Sequence, residues 1–313
     1  MTPIIFWSAI FLISLAVLLK SADYFTDFAE KLGLALKIPP FIVGVTIIGI
    51  GTSLPELATS LIAAVKGSSE IVAANVLGSN IANILLVIGL AALLSKGLQV
   101  KRNLIDLDLP LLAAGGVILV VLIFGDGVVT FFEGVIALLT YGVYLSYLIN
   151  SQVKEKVKAI KTREKISYKI IFGLIFSGFF VALGANYVIQ SVIQVSDILN
   201  VGKGIIAMSV VAIGTSLPEL IVAISSARKG KYELAVGSIF GSNIFNGTVV
   251  LGLPALFGDL VVSKSTLVVA LPFFIAATVL FVISGITRKI HSWEGWLYVL
   301  IYILFIGKIF NLF

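Results

Sequence analysis

Two glutamates stand at the end of the same six-residue phrase, Gly-Thr-Ser-Leu-Pro-Glu, which occurs at 51–56 and again at 214–219. Both Glu56 and Glu219 fall inside apolar stretches, and each is followed by further turns of apolar residues. A charge at that depth of a membrane span costs about 2.5–3.5 kcal/mol on insertion scales. Neither phrase contains a Lys or Arg that could pair with its acid. Protonated, hydrogen-bonded glutamates would meet that cost, but a cation held between the two explains them better. The neighbours supply what a cation needs. Thr52, Ser53, Thr215 and Ser216 add hydroxyl oxygens. Pro55 and Pro218 lack an N–H, which leaves the carbonyls of Gly51 and Gly214 without their helical partner. Inside a span such carbonyls are tolerated only where protein, water or an ion satisfies them.

A second repeated phrase, Gly-Ser-Asn-Ile-x-Asn, occupies 78–83 and 241–246. Ser79 and Asn83 are four apart and share a helical face, as do Ser242 and Asn246. Asn80 and Asn243 lie off that face, where interhelical hydrogen bonding is the expected role. The whole constellation is oxygen, with no Cys in the chain and its one His, His291, far away in a polar connection. Oxygen-only sites select hard cations such as Ca²⁺, Mg²⁺, Na⁺ or protons. Two carboxylates match one divalent charge, and flexible ligation suits Ca²⁺ better than Mg²⁺.

These residues need spans to hold them. The 313 residues are 59% hydrophobic and 12% charged, about half the charged fraction of a soluble domain. Apolar stretches of the roughly 20 residues needed to cross a bilayer recur near 3–20, 40–65, 71–94, 105–124, 132–149, 169–192, 204–227, 233–257, 264–285 and 294–311. Helical spacing of Ala22, Phe25, Phe28, Ala29 and Leu32 extends the first span toward Lys31. The chain reads as an all-α, polytopic membrane protein of ten transmembrane helices. Alternate connections hold 18 and 4 of the Lys and Arg residues. Positive-inside bias then puts both termini outside a plasma or inner membrane.

Residues 49–90 and 212–253 align without a gap, with 20 identities in 42 positions. The similarity extends outward: Asp108-Leu109-Pro110 matches Ala270-Leu271-Pro272, and Phe132-Glu133-Gly134 matches Trp293-Glu294-Gly295. Residues 1–150 therefore form one five-helix repeat and 169–313 a second. An odd number of spans per repeat inverts the second relative to the first. Inverted repeats let two halves exchange roles around a central site, the logic of secondary transport. The basic stretch at 151–168 is expected to be a cytoplasmic linker. Asp23, Asp27 and Lys31 of the first span align with Asn186, Gln190 and Gln194 of the sixth. Such stripes would line water-filled entrances or face headgroups.

With the paired GTSLPE and GSNIxN motifs in two inverted halves, the chain resembles the calcium/cation antiporter superfamily over essentially its whole length, particularly prokaryotic sodium/calcium-exchanger-like members. The resemblance implies a central site formed by spans 2, 3, 7 and 8, with the first and sixth helices sliding across it. It places cation ligands on Thr52, Ser53, Glu56, Ser79, Asn83, Thr215, Ser216, Glu219 and Ser242, with carbonyls near Gly49 and Ala212. Asn246 stands where some exchangers carry an aspartate, so the site has two ionisable groups. Two glutamates can hold one Ca²⁺ or two protons, so the acid count tips the counter-ion toward H⁺, whereas the motif spelling resembles sodium exchangers and neutral oxygens, Asn246 among them, can bind Na⁺. The expected activity is antiport of Ca²⁺ against a monovalent cation, with H⁺ slightly ahead of Na⁺. No cofactor, nucleic acid or obligate protein partner is expected. A sodium-coupled solute carrier is the closest rival. An embedded enzyme is disfavoured by the lack of HExxH, GxSxG or an Asp-rich diphosphate motif.

Overall fold

The computed structural model describes residues 3–67, 69–105, 108–154, 167–198, 216–264, 266–310 and 312. Thr215, Ala212 and the first part of the expected seventh span lie outside them, as does the linker over 155–166. The described chain is helical apart from four two-residue strands. Among the described residues seven helices are long and apolar enough to cross a membrane, or eight if one bent pair counts as a span. Large apolar side chains such as Leu12, Phe132, Val143 and Ile175 cover the outside, as a lipid-facing surface requires. The protein is a polytopic helical membrane protein.

Helix α1 runs over Pro3–Leu36, about 50 Å at 1.5 Å per residue, so the expected extension past Lys20 is realised. It ends where Lys37 turns to φ 58° and the N–H of Ile38 reaches back to Gly33 O at 2.8 Å. Pro39 and Pro40 then open α2 (Pro40–Thr52), which bends by 42° into α3 (Leu54–Val65). Next come α4 (Glu70–Leu94), α5 (Asp108–Phe124), α6 (Phe131–Lys154) and α7 (Tyr168–Ile198). After the undescribed segment follow α8 (Leu217–Arg228), α9 (Tyr232–Ala255), α10 (Thr266–Ile286) and α11 (Ser292–Ile309). The α6 helix extends a turn into the stretch expected to be linker.

Helices α4 and α9, which carry the Gly-Ser-Asn phrases, are the most buried spans. Helix α9 packs on α2 and α6, while α4 packs on α8 and α11. Each central helix thus leans on elements from the other part of the chain. Short strands link the helix ends in the same crossed fashion. Strand β1 (Leu98–Gln99) pairs antiparallel with β4 (Lys289–Ile290), and β2 (Val128–Val129) with β3 (Leu260–Val261).

Two separate hydrophobic clusters result. The large one spans α2 to α6 and α8 to α11. The smaller joins α1 and α7 through Leu18, Ala22, Phe25, Val181 and Ala185, and meets the central helices at Val43, Ile48, Val222 and Leu234.

Candidate cation site

Each glutamate lies in the first turn of a twelve-residue helix. Ser53 has φ −88° and ψ 4°, which breaks the helix between α2 and α3, and Pro55 sits at the second position of α3. Ser216 repeats that conformation, φ −86° and ψ 8°, ahead of α8 and Pro218. Proline fits the first turn because the N–H it lacks has no intrahelical partner there. Glu56 and Glu219 therefore occupy the first turns of α3 and α8, where the helix dipole favours negative charge. Both are 1% exposed.

The spelling Ser-x-x-Glu is that of a capping box, in which the serine would bond the backbone of its own helix. Here no side-chain cap forms at either serine. Ser53 Oγ instead donates to Glu219 Oε1 at 3.0 Å, joining the two copies of the phrase. The hydroxyl spends its hydrogen on the carboxylate and keeps lone pairs for a cation. Thr52 Oγ1 likewise donates to Ile48 O at 3.0 Å.

The Gly-Ser-Asn phrases close the site from α4 and α9. Ser242 Oγ donates to Gly49 O at 3.1 Å. That contact needs α2 and α9 at backbone distance, and glycines permit it: a Cβ on Gly241 would run into Val45 O, and one on Gly49 would lie 2.8 Å from Ser238 O. The Gly49 carbonyl, expected as a ligand, already accepts from Ser242 and from Ser53 N at 3.2 Å. Asn83 Nδ2 donates to Asn243 Oδ1 at 3.1 Å, and Asn80 Nδ2 to Asn243 O at 3.2 Å. Asn80 and Asn243 thus bind helix to helix, the role expected for residues off the site face.

A further feature was not legible in the motifs. The helices adopt π turns over Gly44–Ile48, Ala82–Ile88 and Asn246–Val250, so both Asn83 and Asn246 sit in widened turns. Such bulges are frequent at functional sites. Sequence reading also passed over Asn75, whose Nδ2 donates to Ser60 Oγ at 3.0 Å and to Glu56 O at 3.4 Å. Its place four residues before Ser79, on the face shared with Asn83, was the available signal.

Several buried oxygens here lack a hydrogen-bond partner among the described residues: Glu219 Oε2, Ser216 Oγ, Asn83 Oδ1 and Asn246 Oδ1. Such atoms cost roughly 1–3 kcal/mol each when left unsatisfied. Ser79 and Ser242 are also buried. Among the described residues no group of three or more His, Cys, Asp or Glu is placed to hold a metal ion. The donor set of the site fits a hard cation.

Comparison with known proteins gives a consistent answer. The family model described as sodium/calcium exchanger protein matches residues 6–150 and 169–310. The chain is 31% identical to the sodium/calcium exchanger MaX1 of Methanosarcina acetivorans, over 96% of this chain and 97% of that protein. It is 33% identical to the inner membrane protein YrbG of Escherichia coli, over 80% of this chain and 79% of that protein. Among solved structures, the sodium-calcium exchanger NCX_Mj soaked with Na⁺ and Sr²⁺ matches with a TM-score of 0.81 at 26% identity. That match covers 97% of this chain and 99% of the other.

Proposed function

This chain belongs to the sodium/calcium exchanger protein family, and we propose that it is a secondary antiporter exchanging Ca²⁺ for a monovalent cation by alternating access. The observation that carries this reading is the buried Ser53–Glu219 bond between the two copies of the motif, together with the buried motif oxygens of Glu219, Ser216, Asn83 and Asn246 that lack a hydrogen-bond partner among the described residues. Glu56, Glu219, Thr52, Ser53, Ser79, Asn83, Ser216, Ser242 and Asn246 are the proposed ligands, with Thr215 added from its place in the motif. Ca²⁺ between two carboxylates leaves no net charge to carry through the bilayer. The monovalent ion competes for the same oxygens, so each ion displaces the other.

The two inverted five-helix repeats, at 1–150 and 169–313 around the basic linker, supply the alternation. Supporting this, the strand pairs β1–β4 and β3–β2 exchange into one another when each residue is replaced by its counterpart in the internal repeat, and the packing of α11 on α4 and of α6 on α9 does the same. The distribution of Lys and Arg supports both termini outside.

Two glutamates with no third acid balance one Ca²⁺ against two protons. The relatives named for sodium and calcium support Na⁺ instead, which hydroxyl and amide oxygens can bind, and we place Na⁺ first. The test is Ca²⁺ uptake into sealed vesicles with either a Na⁺ gradient or a pH gradient as sole driving force. Uptake under the Na⁺ gradient alone supports sodium coupling, and uptake under the pH gradient alone supports protons. Uptake under neither sinks antiport.

A further inference from the structure

The internal repeat is uneven in charge at one place. Three acids line the α1 face that meets the α8–α9 hairpin. Ser225 Oγ donates to Asp23 Oδ1 at 2.6 Å. Lys229 Nζ lies 3.0 Å from Asp27 Oδ1 and donates to Asp23 O at 2.9 Å. Lys231 Nζ bridges Asp27 Oδ1 at 2.7 Å and Glu30 Oε2 at 2.8 Å. Beneath these ion pairs the buried hydroxyls of Thr26 and Ser226 touch at 3.3 Å. Burial works to lower the Lys231 pKa, but its hydrogen bonds and charge contacts with Asp27 and Glu30 outweigh that and raise it.

The counterparts one repeat away differ. Asp23, Asp27 and Glu30 correspond to Asn186, Gln190 and Ile193, and Ser225, Lys229 and Lys231 to Ile62, Lys66 and Ser68. With no acid in the α7 set, the equivalent contact cannot carry this ion-pair network. Helices α1 and α7 also join in a smaller hydrophobic cluster, distinct from the main core, that meets the central helices at Val43, Ile48, Val222 and Leu234.

We propose that Asp23, Asp27 and Glu30 of α1 form an ionic latch with Ser225, Lys229 and Lys231, which seals the entrance at that end of the molecule. The α7 counterparts of the three acids include no acid, so the latch biases an otherwise two-fold equilibrium toward the state with the α1–α8 seam shut. The inference rests on alternating access for its consequence but not for its test. The pairs are partly exposed and are therefore weakened by salt.

The chain contains no cysteine, so Ser226→Cys provides a single thiol under the latch. In nanodiscs, where both faces are accessible, its rate of maleimide labelling reads opening of the seam without requiring transport. Adding choline chloride, which raises ionic strength without supplying Na⁺ or Ca²⁺, should speed labelling. Asp27→Asn in the same background should speed it by roughly threefold to tenfold, as loss of a few exposed ion pairs implies, and remove most of the salt response. Lys66→Gln should leave the rate unchanged. A labelling rate indifferent to both salt and Asp27→Asn would overturn the latch. The salt arm needs no latch substitution, so a poorly folded Asp27 variant does not blunt the test, and lost transport with a responsive latch would count against antiport alone.

Discussion

Ser53 Oγ donates to Glu219 Oε1 at 3.0 Å, across 166 residues of sequence. The bond ties the first copy of the Gly-Thr-Ser-Leu-Pro-Glu phrase to the acid of the second. It also orients one carboxylate of the site from a serine that begins the helix carrying the other.

Ser53→Ala removes a hydrogen bond to an acidic group and a hydroxyl of the site. A bond to a charged acceptor contributes about 1.5–3 kcal/mol, so the half-saturating Ca²⁺ concentration for vesicle uptake should rise roughly tenfold to a hundredfold. An unchanged value would show that the hydroxyl does not act on the ion.

Gly78 and Gly241 are repeat counterparts in identical phrases, yet their surroundings differ. A Cβ on Gly241 would meet the Val45 backbone, whereas one on Gly78 would meet nothing within 4 Å. Gly241→Ala should lower the unfolding temperature in detergent, through an overpacking cost of about 1–3 kcal/mol. Gly78→Ala should match or exceed the parent, since alanine is the better helix former by about 1 kcal/mol. Equal effects of the two substitutions would contradict the packing of α9 on α2.

Arg102 Nε and Asp108 Oδ2 form a 2.8 Å ion pair whose side chains are 10% and 2% exposed. The guanidinium also lies 5.4 Å from the centre of the Phe41 ring. Glu233 Oε1 accepts from the backbone N–H groups of Lys101 and Arg102 at 3.2 Å each. Arg102→Ala should destabilise the fold by about 3–5 kcal/mol, because it strands a buried carboxylate. Arg102→Lys should recover only part, since an ammonium lacks the planar fork. Both are read by chemical unfolding monitored through tryptophan fluorescence.

Much of this was legible in the sequence, for identifiable reasons. Hydropathy located most ends of the described helices to within a few residues because a bilayer demands about 20 apolar residues per span, whereas α1 and α7 run on past their apolar stretches to Leu36 and Ile198. The paired acids stood out because charge is rare in a span. The partner of Ser53 did not, since Ser-x-x-Glu spells a local cap and only tertiary contact redirects the hydroxyl to Glu219. The π turns at Asn83 and Asn246 were hidden because apolar periodicity hardly distinguishes them from α-helix. The contrast between Gly78 and Gly241 was invisible for a related reason: identical phrases meet different neighbours. Asp23 and Asp27 were visible as a polar stripe, but their partners Lys229 and Lys231 lie some 200 positions away.

Whether Glu56 and Glu219 carry the ion is tested most directly by Ca²⁺ uptake with Glu219→Gln and Glu56→Gln proteins in sealed vesicles. Glutamine keeps the shape and removes the charge, so each protein should insert and fold while exchange falls to background. Retained Ca²⁺ exchange in either folded variant would contradict the account.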